Sequence, residues 1–288
     1  MQAGSFVVFF LNGLTQAMLL FLIASGLSII FGVLGVLNFA HGSLYMLGAY
    51  FAFQFMQWTG NFWLALAMAP LVVAAVGTAA EVWLLRPVYG RDVTFQLLLT
   101  FGMILVATDA AKMVWGVVGK TVSEPALFSG SVHFLDRSYP VYNLFLIASG
   151  LLVALGLWLL LTRTRWGKII RAASQDREMA NALGIDVPRL FTLVFAFGAW
   201  LGGVGGVMAG PIRHISLTMD VEIIVRAFAV VVIGGLGSLP GALLGAFLIG
   251  EIQSFGIWFI PQFEIVLMFI LMAVILIVRP RGLLGKAE

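Results

Sequence analysis

Long uncharged apolar stretches, separated by short polar loops, are the feature that most limits how this chain can fold. The stretch LFLIASGLSIIFGVLGVL at 20–37 has no charge, and its length is close to the roughly 20 residues that a helix needs to cross a bilayer. A transmembrane β-barrel would instead alternate apolar and polar residues in segments of about ten. With 61% apolar and 10% charged residues, the composition excludes a soluble globular domain, a disordered chain and a coiled coil. The sequence predicts an all-α, polytopic transmembrane helical bundle.

Nine stretches can be assigned as spans, and the seventh is short for a full crossing. The seventh and eighth flank the glycine-rich segment 234–241, so we interpret this pair as a broken or re-entrant element. The bundle is therefore expected to have about eight to ten spans. The nine stretches are 6–31, 38–57, 62–85, 94–118, 140–162, 189–211, 222–236, 241–259 and 262–279.

Lysine and arginine are distributed unevenly between the two alternating sets of loops. Eleven of them lie in the set that contains the loops 86–93 and 163–188 and the C-terminal segment, against three in the opposite set. Because cytoplasmic loops carry the excess of basic residues, the first set is predicted to be cytoplasmic. Nine crossings would then place the N-terminus outside.

The loop 163–188 is the only predicted cytoplasmic segment large enough to dock a partner. Its Ile169, Ile170 and Ala173 have the spacing of a short amphipathic helix, and Met179 and Ala180 extend the pattern. Such a helix can rest on the membrane surface or contact another protein.

The sequence carries no complete enzyme motif. The Gly-Lys-Thr sequence at 119–121 is the end of a phosphate-binding loop, but Val114 stands where that motif requires a glycine. His41, His133 and His214 do not share a metal-ligand spacing. The chain is therefore expected to be no enzyme and to bind no metal or cofactor itself.

Glycines recur every four residues along the sixth stretch, at Gly198, Gly202, Gly206 and Gly210. Small residues at this spacing form a smooth ridge on which another helix backbone can pack closely in lipid. The ridge is expected to be a tight packing surface, and the alternative is a surface that slides during transport.

Two glycine-rich stretches resemble each other: Gly32–Tyr50 reads GVLGVLNFAHGSLYMLGAY, and Gly234–Gly250 reads GGLGSLPGALLGAFLIG. Interrupted apolar segments at corresponding positions of two halves are typical of transport sites at a repeat interface. The similarity suggests an internal repeat with broken helices.

Several polar residues fall inside the spans, where they are costly and are functional candidates by default. Asp109 and Lys112 are three residues apart, and Glu222 and Arg226 are four apart, so each pair is expected to join on one helix face. Asn38 is positioned to cap the helix that follows it.

Three motifs, in the same order, resemble the permease subunits of branched-chain amino acid ABC importers. They are GLSIIFGVLGVLNFAHGSLYMLGAY at 26–50, RAASQDREMANALGIDVPRL at 171–190 and RAFAVVVIGGLGSLPGALLGAFLIG at 226–250. The resemblance implies a single permease domain over 1–288, with a cytoplasmic coupling loop at about 163–188. The implied function is to form half of the path by which the substrate crosses the membrane.

The resemblance also implies the setting in which such a subunit works. Its partners would be a second related permease, two ABC ATPases that hold ATP and magnesium, and an external or periplasmic substrate-binding protein. The location would be the bacterial cytoplasmic (inner) membrane. Members of this family also carry urea, short amides or aromatic acids, so these substrates stay open, and an ion-coupled secondary transporter is a further alternative.

The motifs also suggest which residues carry each task. Many similar permeases have an acidic residue after the His-Gly pair, where this chain has Ser43, which leaves the substrate open. Residues 171–185 are expected to form one helix seated in a cleft of the ATPase, oriented by charge pairing of Asp176 and Arg177. The candidates for the translocation path are Asn38, His41, Gly42, Ser43, Gly237 and Gly241. The candidates for ATPase coupling are Arg171, Ala172, Ala173, Asp176, Ala180, Gly184 and Ile185.

Overall fold

The computed structural model describes residues 2–134, 137–259 and 261–285, and within them the chain forms eleven α-helices and one β-hairpin. The helices are α1 (Gln2–Leu34), α2 (His41–Thr59), α3 (Phe62–Ala80), α4 (Val93–Trp115), α5 (Val141–Arg163), α6 (Arg165–Gln175), α7 (Arg177–Ala182), α8 (Val187–Ala209), α9 (Met219–Gly234), α10 (Leu239–Phe259) and α11 (Glu264–Val278).

Shorter elements complete the chain. A π-helical turn, Glu81–Leu85, and a 3-10 turn, Arg86–Val88, continue α3. Strands β1 (Ser131–Phe134) and β2 (Arg137–Pro140) pair antiparallel in the segment before α5. Two further 3-10 turns are Ala126–Phe128 and Pro261–Phe263.

Seven helical segments of the described residues are long and apolar enough to cross a membrane, which confirms the predicted polytopic helical bundle. Helices α2 and α9 are not among the seven, and α9 has only 16 residues. The seven segments are Gly4–Leu34, Phe62–Val88, Val93–Trp115, Val141–Arg163, Val187–Ala209, Leu239–Phe259 and Pro261–Val278.

Helices α2 and α9 both begin inside the bundle rather than at its surface. The His41 Nε2 atom, at the start of α2, lies 3.2 Å from the carbonyl oxygen of Ile23 in the middle of α1. Because residue Gly42 has no side chain, α2 packs against the backbone of Asp220 in the first turn of α9. The first turns of the two helices therefore meet within the bundle, so neither helix crosses its full thickness.

Helices α9 and α10 form an antiparallel pair joined by a tight turn at 235–238. Gly245 packs on the backbone of Val230, and Gly241 packs on the backbone of Gly234, so the residues face each other in reverse order. The predicted break is therefore wrong for the glycine segment itself, which is a hairpin turn between two separate helices. The prediction that the seventh stretch is too short for a full crossing is confirmed. The corresponding helix, α9, has 16 residues, and its first turn lies inside the bundle.

The two similar glycine-rich stretches connect their helices differently. Gly35 follows α1 with a φ of 68°, and Gly235 follows α9 with a φ of 103°, a region that glycine adopts without steric cost. The first connection spans 35–40, partly extended, whereas the second is the tight turn at 235–238. The local similarity reflects two helices that end at a glycine, and the internal repeat stays a prediction.

The loops rich in lysine and arginine lie at one end of the bundle, called the basic end below. There Arg177 of α7 donates from Nη2 to the carbonyl oxygen of Leu34, the last residue of α1, over 2.8 Å. Thr192 of α8 donates to the Glu81 carboxylate over 2.7 Å, and the C-terminal segment closes on the end of α9. The basic loops thus group as predicted, and α1 begins at the opposite end.

Helix α1 is the centre of the bundle, and every residue from 17 to 30 is buried. It packs against α5, α8, α9 and α10. Glycines allow the close approach: a methyl group on Gly26 would come within 2.6 Å of the Gly198 carbonyl oxygen in α8. Helix α4 is far less buried than α1, because it packs mainly on α2 and exposes most of its residues.

The glycine ridge of α8 is a packing surface, as predicted. Gly198 faces Ile30 of α1, Gly202 faces His41, and Gly206 lies against the backbone of Tyr45 in α2. The ridge therefore fixes the positions of α1 and α2 against α8.

Replacing Gly206 with alanine should destabilise the subunit by about 1–3 kcal/mol, the usual cost of overpacking. Its Cβ would collide with the Tyr45 carbonyl oxygen and lie 2.9 Å from the Ala49 nitrogen, and neither backbone atom can move freely. Gly102→Ala is the matched control, because nothing lies within 4 Å of a Cβ there. Thermal unfolding in detergent should show a lower Tm for Gly206→Ala only, and equal Tm values would contradict this packing.

Candidate translocation site

A buried carboxylate joins three helices where α2 and α9 begin. Asp220 of α9 is 1% exposed. Its Oδ2 atom accepts one hydrogen bond from the Ser43 hydroxyl of α2 over 3.2 Å and another from the Thr108 hydroxyl of α4 over 3.0 Å. Its Oδ1 atom accepts from the Val221 backbone N–H over 2.8 Å. Asp220 thus has partners for both oxygens and links α9 to α2 and α4.

The neighbouring His41 and Gly42 belong to the same site. The His41 side chain is fully buried, and its hydrogen bond to the Ile23 carbonyl requires Nε2 to carry the proton. The Nδ1 atom has no partner among the described residues. Asp220 places a carboxylate beside Ser43.

Asn38 is buried without a hydrogen-bond partner for its side chain. Neither its Oδ1 nor its Nδ2 atom finds one among the described residues. The predicted helix cap is therefore wrong: the cap position of α2 is Ala40, and no side chain bonds there. A buried amide left unpaired costs free energy comparable to a lost hydrogen bond, so it is a group available to a ligand or to water.

Asn38 and Ser43 line a cavity of about 910 Å³ between α2, α3 and α4, called the apolar cavity below. Such a volume lies within the range of about 300–1,000 Å³ typical of small-molecule sites. None of the described residues that line it is charged. Its walls include Leu44, Phe51, Leu99, Met103, Val106 and Phe195.

The charges on α4 lie on the exposed part of the helix. Asp109 and Lys112 are both exposed, and they do not form the predicted ion pair. The predicted pair of Glu222 and Arg226 is also wrong, because Arg226 faces Glu264 of α11 at 3.9 Å. Across the described ranges, the ion pairs are Arg86–Glu81, Arg189–Asp186 and Arg226–Glu264.

Two of the six path candidates lie elsewhere. Gly237 occupies the turn after α9, where a methyl group would come within 2.9 Å of the Gly32 Cα atom. Gly241 packs on Gly234 in the α9–α10 hairpin. Both are therefore packing glycines toward the basic end, and neither lines the apolar cavity. The structure brings together only Asn38 and the His-Gly-Ser motif that follows it.

The coupling segment is two helices rather than the single helix predicted over 171–185. The chain breaks at Asp176, whose backbone is extended and whose side chain caps α7 by accepting from the Met179 N–H over 2.9 Å. Helix α7 ends at Ala182, and the exposed Gly184 follows with a φ of 85°. An aspartate at a helix start stabilises the new helix, which explains the break.

The small residues of the coupling segment divide between two environments. Ala173 and Ala180 are buried against the subunit itself, so they are unavailable to a partner. Ala172 and Gly184 are exposed, and Ile185 is half-buried. Arg171 is exposed and donates to the Leu161 carbonyl oxygen of α5.

Arg177 connects the coupling segment to the membrane helices. Besides its bond to Leu34 of α1, its guanidinium lies 5.0 Å from the ring centre of Phe191 in α8. The Asp176 carboxylate serves as the cap of α7, and the role of Asp176 and Arg177 in orienting the segment on an ATPase stays a prediction. Arg177 thereby links α7 to both α1 and α8.

Sequence reasoning missed Asp220 and Thr108. Thr108 is an ordinary polar residue in a long span, and nothing local marks it. Asp220 lies two residues before the seventh stretch, near the Glu222 that sequence reasoning chose instead. Its partners lie 177 and 112 positions away, so only the folded chain brings them together.

Comparison with known proteins gives consistent results along nearly the whole chain. The chain is 32% identical to the high-affinity branched-chain amino acid transport system permease protein BraD of Pseudomonas aeruginosa, over 96% of this chain and 95% of BraD. It is 30% identical to LivH of Escherichia coli, over 96% and 94%, and 29% identical to LivM of Salmonella typhimurium, over 94% and 68%. The model of the branched-chain amino acid transport system permease component matches residues 9–278. This multi-pass membrane protein therefore belongs to the family of branched-chain amino acid transport permease components.

Proposed function

We propose that the chain forms half of the translocation path of an ABC importer for branched-chain amino acids. BraD and LivH, its relatives over more than nine-tenths of its length, are both described as permeases of high-affinity branched-chain amino acid transport. The observation that carries the proposal is the apolar cavity with the orphaned amide of Asn38 at its wall.

The chemistry of the apolar cavity fits this substrate class. Leucine, isoleucine and valine combine an aliphatic side chain with a zwitterionic backbone. The apolar walls of the cavity suit the aliphatic side chain, while Asn38 and Ser43 offer polar atoms to the zwitterionic backbone. Unpaired charge is costly in a low-dielectric path, so even a few polar atoms and water matter for passage.

A second permease subunit would close the apolar cavity. Helix α4 forms one wall and exposes Asp109 and Lys112, three residues apart, within a membrane span. Charges exposed to lipid are costly, so this face is better matched to a protein or an aqueous path. In a two-fold assembly the acidic group of one α4 can face the basic group of the other.

The basic end would face the cytoplasm and two ABC ATPases, which hold the ATP and magnesium. The coupling segment there exposes Met179 and Leu183, apolar side chains that suit docking in a groove. The opposite end would receive an external substrate-binding protein. This arrangement places the subunit in the bacterial cytoplasmic membrane.

The test is uptake of labelled leucine by the chain assembled with a second permease, two ATPases and a substrate-binding protein in proteoliposomes. Asn38→Ala should lower the maximal uptake rate by about tenfold, the equivalent of one hydrogen bond lost from the passing substrate. Gln57→Ala, which removes an exposed amide from α2, should leave the rate unchanged. Equal rates for Asn38→Ala and Gln57→Ala would contradict the assignment of the apolar cavity.

A further inference from the structure

A second cavity of about 910 Å³ lies at the end opposite the basic end, and we call it the polar cavity. It is lined by α1, α9 and α10, by the first turns of α5 and α11, and by the chain segments at 122–124 and 211–213. It shares no lining residue with the apolar cavity. The two cavities are therefore separate sites within one subunit.

The walls of the polar cavity carry charges of both signs. Arg213 and Arg226 supply two guanidinium groups, while Glu124 and Glu264 supply two carboxylates. The Arg226 Nη2 atom and the Glu264 Oε1 atom are 3.9 Å apart, which is too far for a hydrogen bond. The two side chains are 20% and 25% exposed, so this ion pair is largely withdrawn from water but is not joined by a hydrogen bond.

An unsatisfied amide adds to these charges. Gln253 of α10 is 3% exposed and lines the cavity, and its Nε2 atom has no hydrogen-bond partner among the described residues. Arg213 donates from Nη2 to the Gln16 Oε1 atom over 2.7 Å, which holds its guanidinium at the cavity wall. Buried polar groups left without partners cost free energy, and a ligand with matching polar atoms removes that cost.

We propose that the polar cavity binds a free α-amino acid as its zwitterion. Arg226 and Gln253 would donate to the carboxylate of the ligand, and Glu264 would accept from its ammonium group. A zwitterion fits because its two charges can bind beside Arg226 and Glu264, which line the cavity with opposite charges, whereas an anion or a cation matches only one of them. The proposal depends on the proposed function only for the choice of leucine as the probe.

The experiment measures equilibrium binding of labelled leucine to the full chain with its permease and ATPase partners, without the external binding protein. The complex is held in nanodiscs of phosphatidylglycerol. Unlabelled leucine should displace the label, while 4-methylpentanoate, which lacks the ammonium group, and 3-methylbutylamine, which lacks the carboxylate, should not. Displacement by either analogue as effective as that by leucine would overturn the zwitterion assignment.

Variants then locate the site. Arg226→Gln and Glu264→Gln should each weaken leucine binding by about tenfold or more. Arg137→Gln, which removes an exposed charge outside the cavity, should not change it. Unchanged binding in both cavity variants would overturn the proposal, as would an equal loss of binding in Arg137→Gln.

Two further outcomes separate this inference from its alternatives. Phosphatidylethanolamine also carries an ammonium group beside an anion, so loss of leucine binding when this lipid is added would assign the cavity to a lipid headgroup and overturn the proposal. A complex that transports leucine but shows no binding would overturn this inference alone. Specific binding without leucine transport in the complete system would support this inference and contradict the proposed function.

Discussion

Asp220→Ala is expected to reduce leucine uptake by the assembled transporter to less than about one tenth, the largest effect of any single change in the translocation site. The variant removes the acceptor shared by Ser43 and Thr108, so α9 loses its bonds to α2 and α4. Hydrogen bonds to a charged group contribute about 1.5–3 kcal/mol each, so the combined loss is about 3–6 kcal/mol. The measurement is the initial rate of labelled-leucine uptake in proteoliposomes, normalised to the amount of assembled complex.

Three variants make this expectation specific. Asp220→Asn keeps a neutral acceptor and should retain an intermediate rate. Ser43→Ala removes one of the two donors and should cost less than Asp220→Ala. Glu222→Ala removes an exposed carboxylate from the same turn of α9 and should behave as the unmodified chain. If Asp220→Ala and Glu222→Ala transport equally well, the three-helix junction has no role in transport.

Arg177→Ala is expected to raise the number of ATP molecules hydrolysed per leucine transported by about fivefold or more. Arg177 is the side chain through which α7 reaches both the end of α1 and Phe191 of α8. Without the Arg177 contacts, an ATPase docked on the coupling segment can move α7 without moving α1 and α8. ATPase activity and leucine uptake, measured on the same proteoliposomes, give the ratio directly.

Matched variants separate coupling from general damage. Arg165→Ala removes an exposed basic residue from α6 and should leave the ratio unchanged. Arg177→Lys keeps the charge but loses the planar guanidinium, so its ratio should lie between that of Arg177→Ala and that of the unmodified chain. Ala180→Trp, at first sight a test of docking, would instead disrupt the subunit, because Ala180 is 2% exposed and faces inward. A ratio unaffected by Arg177→Ala would show that force passes to the membrane helices by another route.

The membrane spans could be predicted from sequence because their cause is local. A bilayer forces each span to be a continuous apolar helix, so length and hydropathy suffice to find one. The glycine ridge of α8 is equally local, since a spacing of four residues determines one helix face. Asp176 also carries a local signal, because aspartate prefers helix starts. This preference by itself predicts that a new helix begins after Asp176.

The translocation site could be predicted only in part. Asn38, His41, Gly42 and Ser43 are adjacent in sequence, and one interrupted apolar stretch marks them together. Asp220 reaches Ser43 only because α2 and α9 both begin inside the bundle, a fact set by the packing of other helices on α1. Gly237 and Gly241 lie apart from these four, because a glycine that closes a hairpin and a glycine that lies beside a path have the same sequence signature.

The loose packing of α4 has a consequence for how the cell must make this subunit. Outside an assembly, the exposed face that carries Asp109 and Lys112 would meet lipid, where charged side chains are costly. Such a helix leaves the bilayer or opens more readily than its neighbours, and an opened span is a substrate for membrane proteases. We therefore expect unassembled copies to be degraded first, so that the supply of one subunit sets the lifetime of the other.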